Sequence, residues 1–110
     1  MQRKNHMYIS KTKKKVLLAA MDILVLSWLK SQPLCGKDIR DIIRKKFGLN
    51  IGPGTLYPIL YQLMDKDFME VRVYHKKKLY FLTKTGKEIS SRVQKNYFKM
   101  QKAINFLLKK

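Results

Sequence analysis

Positions facing one side of a helix recur at spacings of three and four through Val16, Leu17, Ala20, Ile23, Leu24, Ser27 and Trp28. The pattern predicts an amphipathic helix of about four turns. Pro33, after Lys30-Ser31-Gln32, closes it, because proline cannot continue the hydrogen-bond ladder. The pattern returns from Lys37 to Phe47, with Ile39, Ile42, Ile43 and Phe47 on one face, Asp38 in the first turn and Arg44, Lys45 and Lys46 in the last. Those charges complement the helix dipole. Gly48 follows as a C-cap.

A third helix starts within Gly52-Pro53-Gly54-Thr55. With Thr55 as N-cap, Pro58 falls in the first turn, where its missing N–H has no intrahelical partner. A start three residues earlier puts Pro58 in the interior, at about 3 kcal/mol. The expectation is therefore a helix from about Thr55 to about Lys66, burying Leu56, Ile59, Leu60 and Leu63.

From Phe68 the period shortens to two. Met69, Val71 and Val73 alternate with Glu70, Arg72 and Tyr74, and Leu79 to Thr83 alternate likewise after His75-Lys76-Lys77-Lys78. This predicts two strands joined by a basic loop. The loop has no Gly, Asn or Asp for a tight primed turn, so a longer, mobile tip is expected. Thr85 with Glu88 forms a capping box that opens a last helix reaching almost to Lys110. Gly86, Val93, Met100 and Leu107 recur every seventh residue in it, with Ser90, Tyr97 and Ile104 as the companion series. Such a repeat is a heptad seam.

The fold expected is mainly α with a small β-hairpin: a winged helix-turn-helix followed by a long C-terminal dimerisation helix. Its parts are a basic flexible arm or frayed helix start over 1–15, a winged-helix domain over 16–84 and the dimerisation helix over 85–110.

Charge sharpens this picture. The 110 residues hold 25 Lys and Arg against 7 Asp and Glu, a net +18, which implies a polyanionic partner. The arm contributes Arg3, Lys4, Lys11, Lys13, Lys14 and Lys15 without an acid. A lone Cys35 makes no intramolecular disulfide and suits a reducing interior. The apolar run Val16–Leu29 is too short to span a bilayer and carries Asp22. No membrane association is expected, and a cytoplasmic place on the nucleoid is.

In a helix-turn-helix the second helix reads the major groove. Thr55, Pro58, Tyr61 and Gln62 are expected to face outward, with Tyr57 at the boundary, supplying hydrogen bonds and apolar contact to base edges and phosphates. Tyr57 and Tyr61 also fit ordinary packing. Lys76, Lys77 and Lys78, with His75, sit at the wing tip and are expected on phosphates rather than as an idle charge run. Lys37 at a helix start is a further phosphate candidate or plain surface. Val93, Tyr97, Met100, Ile104 and Leu107 are the expected homodimer interface, with the first helix as neighbour. Two histidines, His6 and His75, one cysteine and scattered acids offer no catalytic or metal-ligand spacing. No catalytic residue, metal or cofactor is expected.

Three stretches are specific enough to carry a resemblance: Leu34-Cys35-Gly36-Lys37-Asp38-Ile39, Gly54-Thr55-Leu56-Tyr57-Pro58-Ile59-Leu60-Tyr61-Gln62-Leu63 and Lys78-Leu79-Tyr80-Phe81-Leu82-Thr83-Lys84-Thr85-Gly86. Over roughly residues 21–88 the sequence resembles the PadR-like transcriptional regulators. The resemblance implies a winged-helix homodimer built through the first and last helices, a palindromic operator and repression, often relieved by a small effector. It also places Thr55, Tyr57 and Pro58 at the DNA and Lys76 to Lys78 in the wing. Lys37 and Asp38 stand where an aromatic and a glutamate are usual, and Asp67 where glycine is. Nothing in the sequence argues for an effector site. Two other readings compete with the repressor: an architectural protein with little sequence preference, and a protein-interaction module that has lost DNA binding.

Overall fold

The computed structural model describes the backbone of residues 2–109 and the side chains of residues 11–109. The order is α1 (Gln2–Ala19), α2 (Met21–Ser31), α3 (Gly36–Phe47), α4 (Pro53–Asp65), β1 (Met69–Tyr74), β2 (Lys77–Leu82) and α5 (Lys84–Leu108). This is the winged helix-turn-helix with a long last helix.

The core gathers Leu17, Met21, Val25, Leu26 and Leu29 from α1 and α2, and Ile39 and Ile43 from α3. Leu56, Leu60 and Leu63 of α4 meet them, with Met69, Tyr80 and Leu82 of the hairpin. The strands pair antiparallel with Met69 opposite Leu82 and Tyr74 opposite Lys77. Leu34 exchanges two backbone hydrogen bonds with Tyr80, at 3.3 and 2.8 Å, which ties the α2–α3 connection to β2.

Several expectations need correction. The helix expected from Val16 breaks at Ala20, whose N–H is shared between the Val16 and Leu17 carbonyls at 3.2 and 3.1 Å. Helix α1 runs through the 15/16 boundary, so the expected arm has helical backbone from Gln2 onward. No Gly or Pro interrupts residues 1–32, and lysine is a good helix former. The side chains of residues 1–10, His6 among them, lie outside the described set.

The face expected to be buried is displaced too: Val16 is 65% exposed, while Met21, Val25 and Leu29 fill the core. Those three, with Leu17, are four residues apart, and each such step drifts about 40° around a continuous helix. The break at Ala20 resets that phase.

Helix α4 starts at Pro53, with Gly52 as N-cap and Pro58 inside the helix. Pro53 at the first helical position is preorganised for it. The carbonyl that Pro58 leaves without a donor belongs to Gly54, which is exposed and open to water. Thr55 is thus half-buried in the first turn rather than the cap.

The hairpin tip is tight. His75 and Lys76 form a two-residue turn with φ of 49° and 64°, the primed geometry whose twist matches the strands. Lys77 and Lys78 therefore belong to β2.

Helix α5 is capped by Thr83 and not by Thr85: the Thr83 hydroxyl accepts from the Gly86 N–H at 2.9 Å and donates to the Asp67 carbonyl at 2.6 Å. Gly48 is left-handed at φ 66°, its N–H bonded to the Arg44 carbonyl at 2.9 Å, and Asp67 takes φ 62° in the turn after α4.

Candidate nucleic-acid interface

Helix α3 begins with its N-terminus beside the wing. Asp38 there accepts a hydrogen bond from the Cys35 backbone N–H at 3.1 Å. That bond, with further help from the Cys35 side chain, Lys77 and Lys37, holds its carboxyl below the usual aspartate value. The Lys77 contribution places the wing's positive charge near the start of α3.

Helix α4 packs across this end. A Cβ on Gly36 would stand 2.8 Å from the Tyr57 hydroxyl oxygen, so glycine is what allows Tyr57 to lie over the start of α3. Behind it, Tyr80 is buried. Burial, and then the proximity of Tyr57, Tyr61 and Cys35, pushes the Tyr80 phenol above its ordinary value.

These elements enclose an open cleft of about 590 Å³. Six of the expected residues line it: Lys37, Tyr57, Tyr61, Lys76, Lys77 and Lys78. Pro58 and Gln62 lie on the exposed surface of α4 outside the cleft, and Thr55 is half-buried. His75 is exposed in the turn, its ring edge-on to Tyr74 at 4.4 Å.

The sequence reading missed four other residues of the lining: Cys35, Gly36, Asp38 and Asp41. A signal existed for Asp41, since Lys37, Asp38 and Asp41 share one helical face at spacings of three and four. Asp41 pairs with Arg44 at 3.1 Å. On the wing, Arg72 is held by Glu70 at 2.7 Å and lies 4.7 Å over the Phe81 ring.

The second notable surface belongs to α5. Gly86 and Ser90 are buried and Val93 half-buried. Farther along the same seam Tyr97, Met100, Ile104 and Leu107 are 50%, 62%, 50% and 77% exposed. Where α5 crosses α2, two side-chain hydrogen bonds join them: Gln94 donates to Ser27, and Lys30 to Ser91 at 3.1 Å. Beside it opens an apolar groove of about 370 Å³ lined by Ala20, Ile23, Leu24, Ser27, Gln94, Tyr97 and Phe98.

Among the described residues no three His, Cys, Asp or Glu side chains gather as a metal site, and no helix is long and apolar enough to cross a membrane.

The family model described as "Transcriptional regulator PadR-like family" matches residues 25–92, which takes in α3, α4, the wing and the first turns of α5. The chain belongs to the PadR-like family. That family is one of transcriptional regulators, not enzymes.

A PadR-like transcriptional regulator from Bacillus cereus shares the fold at a TM-score of 0.79, with 18% identity over 87% of this chain and 98% of that one. Bacillus subtilis PadR in complex with operator DNA matches 68% of this chain and 45% of its own at 26% identity and a TM-score of 0.62. The transcriptional activator GvpE of Haloferax mediterranei is 34% identical over 74 residues, 66% of this chain. This PadR-like chain spans only 38% of that relative's length.

Proposed function

We propose that this chain binds double-stranded DNA as a homodimer and represses transcription by occupying a palindromic operator on the nucleoid, in the cytoplasm. The cleft carries the reading: Lys37 of α3 and Lys76, Lys77 and Lys78 of the wing line it together with Tyr57 and Tyr61 of α4. Such cations hold phosphates on either side of a groove while the helix between them meets base edges. Thr55, Tyr57, Pro58, Tyr61 and Gln62 are the groove-facing set, with His75 beside the backbone. That a relative was solved in complex with operator DNA supports the DNA-binding reading.

The dimer follows from α5. The exposed seam of Val93, Tyr97, Met100, Ile104 and Leu107 calls for an apolar partner. A second copy supplies one, with its α5 against this seam and the groove beside α1 and α2. A two-fold dimer presents two copies of α4, which suits an inverted repeat.

Fluorescence anisotropy against the chain's own upstream DNA and a shuffled duplex, titrated with salt, tests the reading. Tighter binding to the upstream DNA that persists as salt rises is the expected result. Equal affinities with the same steep slope would mean an architectural protein instead, a reading favoured by the net charge of +18. Replacing Lys76, Lys77 and Lys78 together by alanine should flatten the salt slope by roughly 0.9 for each phosphate no longer neutralised. An unchanged slope would favour an interaction module.

The names of the GvpE relatives favour the opposite regulatory sign for the same contact. A promoter fusion separates the two signs. Expression should rise on deletion of the chain if it represses and fall if it activates.

A further inference from the structure

Of the chain's 25 lysines and arginines, none lies on α4 between Pro53 and Asp65. The first cation along it is Lys66, the residue that caps its C-terminus. Its exposed surface is instead Pro53, Gly54, Tyr57, Pro58, Tyr61, Gln62 and Asp65. The positive charge that faces the cleft stands on the neighbouring elements, at Lys37 and on the wing. Two arginines are engaged elsewhere, Arg44 with Asp41 and Arg72 with Glu70 and Phe81.

This division of labour has a chemical consequence in the major groove. Guanine presents two acceptors there, N7 and O6, which are met by paired donors from Arg or Lys. Adenine presents an acceptor at N7 and a donor at N6, which are met by a side-chain amide. Gln62 carries that amide, with an N–H donor and a carbonyl acceptor in one plane. Against guanine its carbonyl would face an acceptor. Tyr61, adjacent on the same exposed side, offers a ring edge of the kind that packs on the thymine methyl. Asp65 can accept from cytosine N4, and it lies one turn nearer the C-terminal end of α4.

We infer that Gln62 is the specificity-determining residue of α4 and selects an A·T pair in each half-site, with Tyr61 against a thymine methyl. The assignment rests on the DNA-binding reading above. The wing and Lys37 then set affinity through phosphates, and the uncharged face of α4 sets sequence.

Selection of sites from a random duplex library, by the parent and by Gln62→Ala and Asp65→Asn, decides the matter. The parent should select an A·T pair at one position per half-site. Gln62→Ala should lose that preference alone, weakening binding to the selected site by roughly 5- to 150-fold, the range for one bidentate contact. Its binding to random duplex should fall by much less, since phosphate contacts from the wing and Lys37 carry that part of the affinity. In the parent, 7-deazaadenine at that position should weaken binding similarly, since it removes the N7 acceptor without altering the protein. Selection of only G·C pairs, or a G·C preference lost in Asp65→Asn and kept in Gln62→Ala, overturns the assignment while leaving sequence-specific binding intact. No enrichment at all overturns both this assignment and the operator reading. Loss of the duplex binding itself would remove the DNA-binding proposal.

Discussion

At Gly86 and Ser90, helix α5 is buried against its own chain, and from Tyr97 onward the same heptad series faces solvent. The composition along the seam explains the contrast. The near half carries the small residues Gly86 and Ser90, and Gly86 permits close approach of the helix to the turn at Phe68. The far half carries Tyr97, Met100, Ile104 and Leu107, large side chains that leave a chain's own surface unsatisfied. One copy of the chain thus completes the first half of the seam, and by our proposal a second copy completes the rest.

The largest effect should come from breaking the far half. Ile104→Asp with Leu107→Asp places two charges where the dimer would exclude water, and an unpaired buried charge carries a penalty of several kcal/mol. Sedimentation should show a monomer with its helical circular dichroism largely kept. Binding to a two-half-site duplex should fall by orders of magnitude, while a single half-site is bound as before. A variant that stays dimeric would move the interface elsewhere.

The near half breaks differently. A methyl group on Gly86 would lie 1.9 Å from the Phe68 carbonyl oxygen, and that oxygen also accepts from the Thr83 N–H at 3.1 Å. Backbone has to move, so Gly86→Ala should destabilise the chain by about 3 kcal/mol, the upper range for overpacking. Urea unfolding measures this directly. The contrast with the far half is sharp: here stability falls, and there association does.

What could be read from the sequence divides along similar lines. The element order from α3 onward and the Gly48 cap are legible, because each depends on a few adjacent residues, while the turn at Asp67 comes only with the family resemblance. The start of α4 differs from the expected Thr55 because the local rule against Pro58 ignores that Gly54 is exposed and its carbonyl reaches water. The tight wing tip is not legible in the sequence because His75 and Lys76 adopt positive φ without Gly or Asn. Strand pairing on both sides imposes that conformation, at about 1 kcal/mol or more for each residue. The buried face of α2 was unreadable by period, since Met21 to Leu29 is apolar nearly all round and Ala20 breaks the helix without Gly or Pro. At the cleft, the lysines and Tyr57 and Tyr61 were legible from residue type. Gly36 was not, because its role is to make room for a ring from another helix.

A smaller effect belongs to the winged-helix body, at the start of α3. Asp38 has its pKa lowered in the folded chain, first by the Cys35 N–H. Its stabilisation is therefore present above the unfolded value of about 3.9 and is lost as pH falls through the folded value. Asp38→Asn should lower stability at neutral pH by less than about 1 kcal/mol, the scale of a helix-capping contact. Near pH 3 the difference from the parent should shrink. A difference constant with pH would mean that the carboxylate charge plays no part.

The smallest effect tests whether the near half of α5 is complete in one chain. The Ser90 hydroxyl is buried with no hydrogen-bond partner among the described residues. A buried hydroxyl without a partner costs free energy, so Ser90→Ala should raise stability by roughly 0.5–1 kcal/mol. Dimer affinity should not change, since Ser90 faces its own chain. If Ser90→Ala instead weakens the dimer while monomer stability holds, the hydroxyl finds its partner in the second copy. The boundary between the two halves of α5 would then lie one turn closer to Gly86, with Ser90 belonging to the shared seam.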